Sequence, residues 1–177
     1  MSKSKSLLQP KLSNALTVVM TVAVVMLVAV AFVLVLRSHA AGDTLTLSPS
    51  VSTVTPGSTF KVVVDENSNS DAINAVEADL TYDQTKLQLM SIDTSTSAFS
   101  LEAANTGASG VIKLARASST AVTGIQPVAT LTFQAIGTGS TSVSYTKSTS
   151  ALVRASDGVN VLSSVINGAY SIGKGAR

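Results

Sequence analysis

Residues 72–92 read AINAVEADLTYDQTKLQLMSI, and their alternation decides the fold. Val76, Ala78, Leu80 and Tyr82 fall on one side of an extended chain, with Ala75, Glu77, Asp79 and Thr81 on the other. Successive side chains of a strand point to opposite faces, so this stretch predicts a strand with one buried face. Asp83-Gln84-Thr85 then breaks the run with turn-forming residues, after which Leu87, Leu89 and Ile92 resume.

The same grammar extends outward. Upstream, Thr44 to Ser48 alternates, Pro49 and Pro56-Gly57 punctuate, and Phe60, Val62 and Val64 alternate with Lys61, Val63 and Asp65. Downstream, 93–110 reads as a long loop of small polar residues pinned by Phe99 and Leu101. Further strands are expected at 111–117, 127–136, 140–147, 151–154, 159–162 and 165–172, with Gly137, Gly139 and Asp157-Gly158 marking turns. About nine short strands, no convincing helix and no internal repeat predict an all-β antiparallel sandwich over 44–173.

A different composition precedes it. Ala15 to Leu36 holds no charge, Gly or Pro, and as a helix it would span about 33 Å, enough for a hydrocarbon core of roughly 30 Å. Lys3, Lys5 and Lys11 stand before the run and only Arg37 immediately after it, which favours a cytoplasmic N-terminus. The expected organisation is a basic cytoplasmic 1–14, a single transmembrane helix or signal anchor at 15–36, a linker at 37–43, the β domain, and a tail at 174–177. The run is long for a signal peptide, although Ser38-His39-Ala40 offers small residues for cleavage near Ala40 and hence secretion. Either way the β domain is expected outside the cell. A pilin-like subunit is disfavoured, because the apolar run lacks an early Glu and no processing Gly precedes it.

Charge and cysteine narrow the chemistry. From Asp43 onward all ten acids face five Lys and three Arg, so the basic balance comes from the first 42 residues. No basic stripe with interleaved aromatics exists, which argues against nucleic-acid binding. With no Cys there is neither a disulfide staple nor a thiolate site. His39 is the only histidine and sits in the linker, away from any nucleophile elbow or second catalytic group. Glu77 and Asp79 are neighbours on an open strand face, not a cleft-bound acid pair. The chain is therefore read as a non-enzyme without a cofactor.

Asp65-x-Asn67-x-Asn69-x-Asp71 spaces oxygens as a calcium loop does, yet Ser70 and Val76 stand where an EF-hand needs Gly and Glu. A polar turn is the better reading, so no metal ligand is assigned. Sugar-binding sandwiches stack pyranose rings on exposed Trp or Tyr. This chain has no Trp, and Tyr82 falls in the apolar register.

The segment from Ala72 to Ile92 resembles the strand, turn and strand of bacterial cohesin domains, the modules that hold dockerin-bearing enzymes in cellulosomes. It keeps Ile73, Tyr82, Asp83 and Leu87 of that pattern, with Ala72 for a Gly and Gln84 for a Pro. GVIKLARASS from Gly110 and VATLTFQAIGTGST from Val128 are similar to later strands of the family, in the same order. The likeness implies a nine-stranded jelly-roll sandwich and a protein partner of dockerin type. Dockerin recognition in that family uses an Asn-x-Asp pair on the strand entering Tyr-Asp. Ala75 and Glu77 occupy those positions here, so the amide is absent and the acid is one methylene longer. Glu77, Asp79 and Thr81 are the candidate partner-binding row. The alternative is a polysaccharide- or envelope-binding module of the same fold.

Overall fold

Leu45 and Leu47 turn inward while Thr44 and Thr46 stay half-exposed, and this two-residue rhythm recurs throughout the domain. The computed structural model describes residues 42–173. Its strands are β1 (Asp43–Ser48), β2 (Val51–Val54), β3 (Thr59–Asn67), β4 (Ile73–Tyr82), β5 (Leu87–Asp93) and β6 (Leu101–Ala108). They continue as β7 (Val111–Val122), β8 (Ile125–Ala135), β9 (Gly139–Tyr145), β10 (Ala151–Arg154), β11 (Leu162–Ile166) and β12 (Gly168–Ile172). The one helical piece among the described residues is a 3-10 turn, Lys147–Thr149. A five-stranded sheet in the order β11-β1-β3-β8-β5 faces a sheet ordered β2-β12-β9-β4-β7-β6, in which β10 also pairs with β4.

The all-β sandwich is as expected, but there are twelve strands rather than nine. Two of the three extra strands share a physical origin, and β6 is the third. The first and last stretches each cross from one sheet to the other, at Pro49 and at Asn167, so each reads as two strands. Because these stretches run side by side in the same direction, β1 pairs with β11 and β2 with β12 in parallel. The remaining ladders are antiparallel, so the sheets are mixed where uniform antiparallel pairing was expected.

Two local expectations are also corrected. The supposed loop 93–110 contains β6, an edge strand paired along its length with β7. Its residues are small and mostly exposed, so backbone pairing defines it and no apolar alternation announces it. Phe99 does pin the preceding segment, being fully buried, whereas Leu101 is 56% exposed. The supposed strand 159–162 reduces to a single bridge between Val153 and Asn160 before β11 begins.

Aromatic rings fill the centre of the core. Phe60 stacks on Phe133 at 5.9 Å, and Tyr82 meets Phe133 edge-on at 5.2 Å. Two tyrosines tie the layers together. Tyr145 of the seven-stranded sheet donates its hydroxyl to the Thr46 carbonyl in the other sheet at 2.9 Å, and Tyr170 donates to the Pro49 carbonyl at 3.0 Å. Burial raises both phenols, Tyr170 to about 12, so each stays a neutral donor at physiological pH.

Among the described residues no helix is long and apolar enough to cross a membrane. The expected cytoplasmic segment 1–14, the span 15–36, most of the linker and the tail 174–177 lie outside the described residues.

Candidate functional site

The seven-stranded sheet carries β4 at its middle, flanked by β7 on one side and by β9 and then β10 on the other. Val76, Ala78 and Leu80 point into the core, which leaves Ala75, Glu77, Asp79 and Thr81 on the outer register. Across the ladders Glu77 lies opposite Ala115 and Ala151, Asp79 opposite Lys113, and Thr81 opposite Val111 and Ser144. Farther along β6 and β7 the outer positions are Ala104, Thr106, Ala108 and Ala117, with Leu101 at one end. The result, from β4 to β6, is a face of small side chains with few charges and two exposed apolar residues, Leu101 and Val111.

The structure brings the three sequence-nominated residues onto this face but does not present them equally. Glu77 and Thr81 are exposed, and the Thr81 hydroxyl donates to the Ser144 carbonyl at 3.4 Å. Asp79 is only 8% exposed. The chain between β9 and β10 runs against its backbone: the Thr146 N–H donates to the Asp79 carbonyl, and the Asp79 N–H donates to Ser150 Oγ. A strand pattern cannot reveal such a neighbour, because Thr146 and Ser150 are 67 or more positions away in sequence. Lys113, opposite Asp79, is a face residue that the sequence reading did not nominate; its signal was the alternation of β7 itself.

Beneath the far edge of the face lies a buried cation. Ile112, Leu114 and Arg116 all take the inward register of β7. Arg116 is 5% exposed; its Nε–H donates to the Phe99 carbonyl at 2.8 Å and its terminal N–H to Glu102 at 2.8 Å. It therefore holds the segment entering β6 against β7.

The Tyr82-Asp83 motif is structural. Asp83 Oδ1 accepts both the Thr85 N–H at 2.9 Å and the Thr85 hydroxyl at 2.6 Å. The Thr85 hydroxyl, then its N–H, holds the Asp83 carboxyl below the usual range. This closes the turn between β4 and β5.

Only 68–71 forms the expected polar turn, because Asp65, Glu66 and Asn67 are the last residues of β3. Asn69 sits at φ 47° and donates its N–H to Asn67 Oδ1, while Asp71 accepts from Arg154 at 3.4 Å. Among the described residues no group of three or more His, Cys, Asp or Glu side chains is placed to hold a metal ion. A groove of about 280 Å³ opens between β5 and β6, lined by Leu89, Met90, Ser91, Ile92, Asn105 and Gly107. None of these residues is ionisable, so the groove offers no acid or base chemistry.

The family model for the cohesin domain matches residues 41–172. The chain belongs to the cohesin family. Solved cohesins share its fold at low identity. A cohesin from Clostridium acetobutylicum, solved in solution, aligns with TM-score 0.62 and 19% identity over 76% of this chain and 94% of that one. A non-cellulosomal cohesin from the hyperthermophilic archaeon Archaeoglobus fulgidus gives 0.61 and 21%, over 76% and 93%. The third ScaC cohesin of Acetivibrio cellulolyticus, solved in complex with the ScaB dockerin, gives 0.58 and 14%, over 73% and 98%. No curated protein matches the chain. Cohesin domains are interaction modules, and these neighbours include one captured with its dockerin.

Proposed function

We propose that this cohesin is a non-catalytic module that grips a dockerin-type protein through the outer face of its seven-stranded sheet, with 15–36 tethering it outside the cell. The observation that carries the reading is the face itself. Glu77, Thr81 and Lys113 stand on a floor of Ala, Ser and Thr that lets a partner's backbone approach closely, and Leu101 and Val111 supply apolar contact. Asp79 shares the outward row but is only 8% exposed, so Glu77 and Thr81 make the direct contacts. Ala75 in place of an amide implies a partner whose matching position is apolar or small.

The polysaccharide reading lacks comparable support. All six aromatics of the described domain, Phe60, Phe99, Phe133, Tyr82, Tyr145 and Tyr170, are buried or half-buried, so no exposed ring is offered to a sugar.

The test is capture of exported, dockerin-bearing proteins by the domain, with a glycan array in parallel. A specific protein partner lost on Glu77→Lys with Thr81→Arg supports the proposal. Glycan retention without any protein partner overturns it. The location is tested separately, by N-terminal sequencing of the mature protein after membrane fractionation. An intact N-terminus in the membrane fraction supports tethering; a terminus near Ala41 in the medium replaces it with secretion.

A further inference from the structure

One end of the sandwich is closed by acids that point the wrong way. Along β3 the inward positions are Val62, Val64 and then Glu66, so a carboxylate takes a place in the core register. Glu66 is 0% exposed, and neither of its carboxylate oxygens has a hydrogen-bond partner. On the neighbouring strand Asp43 also turns inward, 6% exposed, with Oδ2 unpartnered. Ser68, fully buried beside them, has a hydroxyl close enough to oppose the Glu66 shift but in no hydrogen bond of normal geometry. An ionised carboxylate without donors is among the most costly things a core can hold.

We propose that the Glu66 and Asp43 carboxyls form an acid-closed latch on the first strand: protonated they let β1 seat over the core, and ionised they drive that strand end open. The charged surroundings favour the closed, neutral form. Asp65 adds negative charge from β3 itself, and Asp71 from the following turn lies against Asp43. Among the described residues Arg154 of β10 is the one cation facing the group, and it is already engaged by Asp71 at 3.4 Å and by Asp157 at 2.8 Å. The strands on either side offer no charge, since β8 places Gln126 opposite Glu66 and β11 places Leu162 opposite Asp43. Burial pushes Glu66 up to about 7, with the Asp43 and Asp65 charges adding and the Ser68 hydroxyl opposing. Burial, then the contact with Asp71, pushes Asp43 up to about 6.

The sign follows from linkage. A carboxyl raised in the folded state favours folding fully below its unfolded value, and that advantage is lost as pH rises through the folded one. The latch therefore tightens near pH 5 and loosens through neutrality. β1 is also the strand that continues from the N-terminal apolar segment, so acidity of the surroundings would set how firmly the domain's first strand is held.

The test is hydrogen exchange of the full chain at about pH 5 and about pH 7.5, corrected for the intrinsic rate, reading the β1 amides against those of β8. Protection of β1 is expected to fall by at least about tenfold on raising the pH, with β1 exchanging well ahead of β8 at both values, and Glu66→Gln should abolish most of that fall. Asp43→Asn serves as the second variant should Glu66→Gln not fold. A pH-independent β1, or an undiminished fall in a folded variant, overturns the latch. So does recovery of β1 protection at about pH 7.5 on adding millimolar calcium chloride, which would make the acids cation ligands instead.

Discussion

Replacing Arg116 by Ala should cost this cohesin about 3 kcal/mol of stability, mostly through Phe99 and only slightly through the ion pair. The guanidinium makes two charge-assisted bonds. The one to Glu102 is half-exposed on the acid's side, 50%, and a pair open to water contributes at most about 1 kcal/mol. The bond to the Phe99 carbonyl lies in the interior, where a hydrogen bond to a charged group contributes about 1.5–3 kcal/mol. Losing the Arg stem adds a small packing deficit. Urea denaturation with Arg116→Ala, Glu102→Ala and the double variant separates these contributions, since the cycle isolates the pair. Glu102→Ala should lose under about 1 kcal/mol, and Arg116→Ala should lower the melting temperature by roughly 10 °C. Equal losses for the two single variants would refute the reasoning, because the Phe99 anchor would then contribute nothing beyond the ion pair.

Phe133→Ala removes a fully buried ring packed on both Phe60 and Tyr82, so calorimetry or denaturant melts should show a loss of about 3–5 kcal/mol. Gly110→Ala is expected to destabilise by more than about 1 kcal/mol, since residue 110 holds φ 79° and a Cβ there would stand 2.9 Å from the Tyr82 carbonyl oxygen. Thermal melts should show wild-type stability falling between about pH 5 and pH 8, by up to about 3 kcal/mol from Glu66, whose carboxyl rises from 4.5 to about 7 on folding. Glu66→Gln should flatten that profile; a stability rising with pH over the same range would contradict the assignment.

How far the site was legible depended on the kind of contact involved. The outward register of Glu77 and Thr81 was readable because alternation is local, a property of one strand and its pleat. The burial of Asp79 was not, since the segment set against it, Thr146 to Ser150, comes from a distant part of the sequence. Strand β6 escaped notice for the opposite reason: its residues carry no alternating apolar signal, and only the β7 backbone makes them a strand. Arg116 and Glu66 sat in inward registers that could have been counted from the sequence, yet a charged residue there reads as an interruption of the pattern until its neighbours are seen.

From sequence alone came the two-layered all-β character, the main strands, the Tyr82-Asp83 turn and the family likeness, because each rests on residues within a strand's length of one another. The tertiary structure alone decided the crossing of both terminal stretches between sheets, their parallel pairing, the burial of Asp79 and the burial of the acids at the sandwich end. Those depend on which distant segments share an edge, and pleat periodicity carries no information about that.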